Sequence, residues 1–217
     1  MQFFDNLLPG NDWFPTKHEI VKDAYLLTEF ALAHEASILS DLATVLAQAP
    51  FRHMVTPGGF TMSVAMTNCG LGWVTDRKGY RYTNLDPISN QPWPAIPESF
   101  KNLAASAATE AGFLDFEPDA CLINQYKIGA RMSLHQDKNE LDFSQPVVSV
   151  SLGLPAMFQF GGLERTDKTI KLPLKHSDVV VWGGEARLRY HGILPLKTNY
   201  HPAFGDYRIN ITFRKAG

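Results

Sequence analysis

From residue 120 onward the chain reads as eight short extended segments in succession, at 120–126, 132–136, 147–152, 156–160, 169–174, 178–182, 188–191 and 207–213, with turn-forming residues between them. Many short strands at even spacing pair antiparallel and stack in layers, which predicts a sandwich or jelly roll. The last segment shows what such layers would present. Arg208, Asn210, Thr212 and Arg214 alternate with Ile209, Ile211 and Phe213, so an extended backbone puts two guanidiniums and an amide on one face and an apolar row on the other. Either the polar face looks at water, as in an ordinary sandwich strand, or it looks into the barrel and binds a dicarboxylate, which arginine matches with two parallel hydrogen bonds. Segment 120–126 poses the same choice. Leu122, Asn124 and Tyr126 share a face, and an amide and a phenol buried there need partners that a bound anion would supply.

His135 and Asp137 stand two apart, so on a strand both side chains leave the same face. Taken with His191 they offer two imidazoles and one carboxylate with three positions left open, the set that suits non-haem Fe(II) and dioxygen chemistry. An isolated His-x-Asp is more often a hydrogen-bonded surface pair. The polar strand faces nearby favour the metal.

At 217 residues, with 45% hydrophobic and 19% charged residues, the chain is long enough for one well-buried globular domain. A net charge of -2 excludes a protein that coats nucleic acid through a global basic footprint, so any such contact is local. The charge is uneven. In residues 1–50, Lys17 and Lys22 stand against Asp5, Asp12, Glu19, Asp23, Glu29, Glu35 and Asp41, whereas in residues 51–81 Arg52, Arg77, Lys78 and Arg81 stand against Asp76 alone. The basic segment reads as a face for an anionic partner or as a solvated loop. Cys69 and Cys121 are the only cysteines, too few for a disulfide framework or a cysteine-based zinc site. The beginning of the chain, with Asp5 and Pro9 and no basic residues before an apolar run, does not read as a secretory signal, no run has the length of a membrane span, and a cytoplasmic location is expected.

Ahead of the strand series, residues 24–30 read as a short strand and 35–48 as a helix with Ile38, Leu39, Leu42, Val45 and Leu46 on one stripe. A second helix is predicted over 98–111, with Phe100, Leu103, Ala104, Ala107 and Ala108 inward and Gly112 as its stop. Residues 51–97 are punctuated by Pro57-Gly58-Gly59, Gly70-Leu71-Gly72, Asp86-Pro87 and Pro92-Trp93-Pro94, and read as a mobile hairpin or lid rather than core.

With these pieces in place, the chain resembles the Fe(II)/2-oxoglutarate-dependent dioxygenases, specifically the bacterial AlkB DNA-dealkylation repair family. His135-x-Asp137, His191 and Arg208-x-Asn210 with Arg214 carry the resemblance, together with runs beginning at Thr56 (TPGGFTMSVAMTNC), Ser133 (SLHQDK), Val148 (VSVSLGLPA) and Asp178 (DVVVWGG). It extends from about Phe51 to the C-terminus and is weaker over the first fifty residues. It implies an α+β, mainly β fold, a double-stranded β-helix or jelly roll whose mouth holds the iron. The single catalytic domain, 1–217, would comprise an N-terminal extension and helix (1–50), a nucleotide-recognition lid (51–97), a supporting helix (98–112) and the jelly-roll core (120–214).

By the same resemblance, His135, Asp137 and His191 would be the iron ligands, and Arg208 would pair with the distal carboxylate of 2-oxoglutarate. Asn124, Tyr126, Asn210 and Arg214 would complete the co-substrate site, Arg214 also neutralising Asp137. Fe(II), 2-oxoglutarate and O2 would then remove the methyl group of 1-methyladenine or 3-methylcytosine in single-stranded DNA, with release of formaldehyde, succinate and carbon dioxide. Double-stranded DNA and RNA are further expected partners of what would be a monomer. Trp73 would stack on the flipped cationic base with His135 on its other side and Tyr80 beside it, an aromatic contact worth roughly 0.5 to 2 kcal/mol. Thr56, Arg165, Arg77, Lys78 and Arg81 are candidate phosphate contacts. Asn139 departs from the family, which carries an aspartate there facing the exocyclic amine, and this implies an altered base preference. Two other readings stay open: the same chemistry on RNA, a protein or a small molecule, and a non-catalytic module that holds methylated bases.

Overall fold

The computed structural model describes residues 16–217, so Asp5, Pro9 and Asp12 lie outside the described residues. The described residues begin with β1 (Lys17–Val21) and β2 (Ala24–Leu27). β1 is largely exposed and carries no apolar alternation, which is why its sequence gives no strand signal. β2 stops short of the expected residue 30 because Glu29 takes a positive φ of 54°, a left-handed conformation that ends an extended run. Helix α1 (Glu35–Gln48) buries Ile38, Leu42 and Val45, and leaves Leu39 and Leu46 half-buried at the edges of the stripe. Helix α2 (Glu98–Ala111) buries all five expected residues and Ala111, and ends at Gly112, whose φ of 96° lets its N–H turn back to the last carbonyls.

Between the helices lie β3 (Arg52–Val55), β4 (Thr61–Gly70), β5 (Gly72–Asp76) and β6 (Gly79–Thr83). After α2 come β7 (Ala120–Lys127), β8 (Met132–His135), β9 (Val147–Gly153), β10 (Ala156–Phe160), β11 (Ile170–Leu174), β12 (Val179–Trp182), β13 (His191–Ile193) and β14 (Tyr207–Arg214). One eight-stranded sheet runs β1-β2-β12-β9-β14-β7-β4-β3, and a four-stranded sheet runs β11-β10-β13-β8. The eight C-terminal strands divide four to each sheet, all antiparallel, so the predicted double-stranded β-helix is the fold.

Two expectations are corrected. The segment expected at 188–191 begins as turn: a short 3-10 helix at Gly184–Ala186 is followed by N–H groups of Arg187 and Arg189 bonding back to Gly184 and Ala186, and the strand starts only at His191. Residues 51–97 are not one lid. β3 and β4 are built into the large sheet, with Val64 to Cys69 buried in sequence, because β4 pairs β7 along one edge and β3 along the other. Only β5 and β6 stand apart, as a two-stranded hairpin.

The apolar row of β14 faces α1 and α2: Ile209, Ile211 and Phe213 pack with Ile38, Phe100, Leu103 and Ala107, and Phe213 meets Phe100 edge-on at 6.0 Å between ring centroids. Such a pair contributes about 0.5–1.5 kcal/mol beyond its buried area. With one face taken by the helices, Arg208, Asn210, Thr212 and Arg214 point between the two sheets and are buried. The inward reading of the polar face therefore holds. No described helix is long and apolar enough to cross a membrane.

The loop after β6 is organised by Asp86. Arg52 reaches it from β3 with both terminal nitrogens, Nη1 to Oδ2 at 2.6 Å, and the Ile88 N–H and Ser89 hydroxyl also donate to it. Burial pushes the Asp86 carboxyl up, but these hydrogen bonds outweigh it and hold its pKa at about 2. A carboxylate depressed in the fold stabilises it above the ordinary aspartate value and stops doing so as pH falls through the folded value. Asp86→Asn is expected to cost about 1–2 kcal/mol at pH 7, the gap to the parent closing between about pH 4 and pH 2. Urea unfolding of both proteins across that range checks it; a gap independent of pH would show that charge is not what Asp86 contributes.

Candidate metal and co-substrate site

The space between the sheets opens into a cavity of about 820 Å³. His135 ends β8 and His191 begins β13, and the two are register partners across the antiparallel pair, with ring centroids 4.3 Å apart. Gly192 makes this approach possible: a Cβ there would lie 2.6 Å from the Met132 carbonyl oxygen. Asp137 follows β8, with Oδ1 3.8 Å from His135 Nε2 and Oδ2 3.7 Å from His191 Nε2. The three potential ligand atoms lie within 4.8 Å of one another, the only such group of histidine, cysteine and acidic side chains among the described residues.

Both imidazoles are oriented by the same device. Nδ1 of His135 faces the Ser133 carbonyl at 2.9 Å and Nδ1 of His191 faces the Arg189 carbonyl at 3.1 Å. A carbonyl only accepts, so each Nδ1 carries a proton and each Nε2 is left facing Asp137. Burial, with the neighbouring His135, pulls the His191 pKa down to about 3, which keeps that ring neutral as a ligand must be. Burial pushes Asp137 up, but Arg214 and the two imidazoles outweigh it and hold the carboxyl well below the usual range. Arg214 Nε donates to Asp137 Oδ2 at 2.8 Å.

Deeper along the same strand face sits Arg208, 1% exposed, with its guanidinium 5.0 Å from the Tyr126 ring centroid. Nη2 donates to Ser151 Oγ at 3.0 Å, while Nε and Nη1 have no partner, nor does Asn124 Oδ1 across the β7–β14 pair. Burial pulls the Arg208 pKa down, and Tyr126 only partly offsets that. A buried guanidinium with free donors is costly unless an anion joins it. Asn210 donates to Ser149 Oγ at 2.8 Å and to the Val150 carbonyl at 3.0 Å. Ser149 and Ser151 were not singled out from the sequence. Their alternation with Val148, Val150 and Leu152 carried the same parity signal as β14.

At the mouth, Trp73 and Tyr80 of the hairpin stack at 5.7 Å between centroids, and both line the cavity with Thr56, Arg165 and Asn139. Trp73 Nε1 donates to Asn139 Oδ1 at 3.0 Å. Of the basic segment, Arg81 is committed to Asp76 and Arg52 to Asp86, which leaves Arg77 and Lys78 exposed at the hairpin turn. Exposed Arg131 and Lys138, which sequence reading passed over, line the cavity instead. Glu140, Arg187 and Tyr82 also converge here from three separate segments, with no local pattern to announce them.

The model of the 2OG-Fe(II) oxygenase superfamily matches residues 23–214. The alpha-ketoglutarate-dependent dioxygenase AlkB of Escherichia coli is 59% identical over 204 residues, covering 94% of this chain and 94% of that protein. The chain belongs to the AlkB family. An AlkB homolog of Caulobacter vibrioides is 46% identical over 173 residues, 78% of this chain and 76% of its own length. The solved structure of OsALKBH1 superposes with a TM-score of 0.82 at 27% identity, covering 92% of this chain and all of that one. The similarity to the Escherichia coli protein is wider than the stretch from Phe51 expected from the motifs, because 204 aligned residues take in most of the first fifty as well. This AlkB-family chain is a 2-oxoglutarate-dependent dioxygenase that uses Fe(II), 2-oxoglutarate and O2. Its cavity fits both groups: two imidazole nitrogens and a carboxylate for Fe(II), and the free Arg208 donors for a carboxylate.

Proposed function

We propose that the chain reverses N-alkylation damage, demethylating bases such as 1-methyladenine and 3-methylcytosine in single-stranded DNA, and also in RNA, with release of formaldehyde, succinate and carbon dioxide. The observation that carries this reading is one cavity holding the His135, Asp137 and His191 group and the free Arg208 donors at its floor and the Trp73 and Tyr80 rings at its mouth. The whole chain acts as one catalytic domain, in the cytoplasm and as a monomer, and the β5–β6 hairpin is its base-recognition element.

In this reading His135, Asp137 and His191 hold the metal. Bound Fe(II) with 2-oxoglutarate supplies the oxidising chemistry, coupling dioxygen activation to loss of carbon dioxide from the co-substrate. Arg208 takes the far carboxylate, and Asn124, Tyr126 and Asn210 line the remainder of that pocket. Arg214 neutralises Asp137 and holds its orientation, the second of the two roles expected for it. Trp73 and the half-exposed His135 hold the flipped base between them so that its N-methyl group points at the triad. Once hydroxylated, that methyl group leaves as formaldehyde and the base regains its pairing edge. Arg131, Lys138, Arg165 and Thr56 at the rim contact phosphates, local contacts of the kind a chain of net charge -2 allows.

Asn139 accepts the Trp73 indole proton, as an aspartate would, but brings no charge to a cationic lesion. Asn139→Asp is expected to raise kcat/KM on 1-methyladenine and 3-methylcytosine by about fivefold, the effect of one charge at contact distance in a wet site. Rates on both lesions unchanged from the parent would remove Asn139 from base selection. The overall reading is tested by loading the chain anaerobically with Fe(II), admitting air and 2-oxoglutarate, and weighing a single-stranded oligonucleotide with one 1-methyladenine, with His135→Ala as control. Loss of one methylene mass with stoichiometric succinate supports repair. Succinate without a mass change moves the substrate elsewhere, and no succinate with any methylated nucleic acid favours a binding module.

A further inference from the structure

We infer that Glu140 is a positioning residue that ties the base-recognition hairpin to Asp137, so that a base docking against the hairpin is felt at the metal ligands. The inference rests on the reading above, in which a methylated base docks beside Trp73.

Trp73, Tyr80 and Tyr82 share one face of the β5–β6 hairpin, because Trp73 is the register partner of Tyr82 and Tyr80 lies two residues before it. Two side chains of that face reach consecutive residues of the loop that follows Asp137. Trp73 Nε1 donates to the exposed Asn139, and the Tyr82 hydroxyl donates to Glu140 Oε1 at 2.5 Å. The second link is enclosed, the Glu140 side chain being only 2% exposed.

Beyond Glu140 the contacts lead directly to Asp137. Glu140 Oε1 lies 3.6 Å from Arg214 Nε, the nitrogen that donates to Asp137 Oδ2 at 2.8 Å. Glu140 Oε2 lies 3.3 Å from Arg187 Nη2, and Arg187 Nη1 donates to the Asp137 backbone carbonyl at 2.8 Å. Asp137 is therefore held at its side chain by one buried arginine and at its backbone by another, and both arginines face the same buried glutamate. Two guanidiniums and two carboxylates balance in a closed space, so a shift of one charge is answered by the others. Glu140 Oε2, close to Arg187 but without an aligned hydrogen bond, leaves the glutamate able to exchange partners when Tyr82 moves. The Tyr82 ring alone would suffice to pack the hairpin. Its hydroxyl is placed for the link.

The test is an anaerobic titration of the Fe(II)- and 2-oxoglutarate-loaded chain with the 1-methyladenine oligonucleotide, following the visible charge-transfer band of the iron–2-oxoglutarate chelate, which reports ligand geometry at the metal. The parent protein is expected to shift its band on saturation. Tyr82→Phe keeps the ring and removes the hydroxyl. It is expected to bind the oligonucleotide within about threefold of the parent, to lose at least half of the shift, and in air to lose about tenfold in kcat while succinate per repaired base rises above one. Glu140→Gln, which removes the charge between the arginines and keeps an acceptor for Tyr82, is expected to displace the band before any oligonucleotide is added, and it decides the matter if Tyr82→Phe does not fold. A full parental shift in Tyr82→Phe, an undisplaced band in Glu140→Gln, or a parent that repairs the oligonucleotide with no shift overturns the inference and leaves the proposed function standing. A parent that neither shifts nor repairs overturns the proposed function.

Discussion

Arg208→Met is expected to weaken 2-oxoglutarate binding by about 10²–10⁴-fold while leaving the ligand-free chain at least as stable as the parent. The guanidinium is 1% exposed, spends one nitrogen on Ser151, and leaves two without partners over the Tyr126 ring. Hydrogen bonds to charged groups contribute about 1.5–3 kcal/mol each, so the loss of two to a carboxylate amounts to about 3–6 kcal/mol and that range of affinity. Without the co-substrate the balance reverses. A buried charge with unmet donors costs stability, and a methionine of comparable length fills the space without that cost. Calorimetric titration with 2-oxoglutarate and a melting curve of the ligand-free protein measure the two halves separately. Unchanged affinity would take Arg208 out of the co-substrate site, and a clear fall in Tm would mean that its donors are already satisfied in the fold.

Asp137→Ala is expected to abolish retention of Fe(II) and succinate formation together, and to destabilise the metal-free chain by about 2–4 kcal/mol. The first effect follows from removing the one carboxylate of a three-ligand group, which leaves two imidazoles and no anionic donor to hold the divalent ion. The second follows from Arg214, which loses its 2.8 Å partner while 7% exposed and retains only Glu140 at 3.6 Å. Adding Arg214→Met to Asp137→Ala removes the stranded charge, and the double variant is expected to regain most of the stability and none of the activity. Urea unfolding and metal content of the three proteins check this. A double variant as unstable as the single one would show that Arg214 is held by other contacts.

These two residues also divide what was legible from what was not. The alternation of β14 showed which side chains share a face with Arg208, and the spacing of His135 and Asp137 showed that both could serve one ion. Helices α1 and α2 were readable to within a residue, since a stripe repeating every three or four positions is a property of one segment. What lies opposite a face is a property of two segments. Whether Arg208 met water or the interior was settled by α1 and α2 lying on Ile209, Ile211 and Phe213, a packing between stretches up to about 170 residues apart. β4 misled for the same reason: its glycine- and proline-rich surroundings are local, whereas its burial comes from pairing with β7.

By itself, then, the sequence determined which side chains share each strand face and the sandwich or jelly-roll class, because each follows from a short-range period, whereas the roles expected of His135, Asp137, His191 and Arg208 rested on the family resemblance. Only the tertiary structure decided that Arg208 keeps two donors free and that Tyr82 reaches Glu140 beside the candidate metal ligands, and it placed Arg214 against Asp137, the second of the two roles expected for it. Those are contacts between segments far apart in the chain, chosen by which buried charges and polar groups can satisfy one another once the two sheets close.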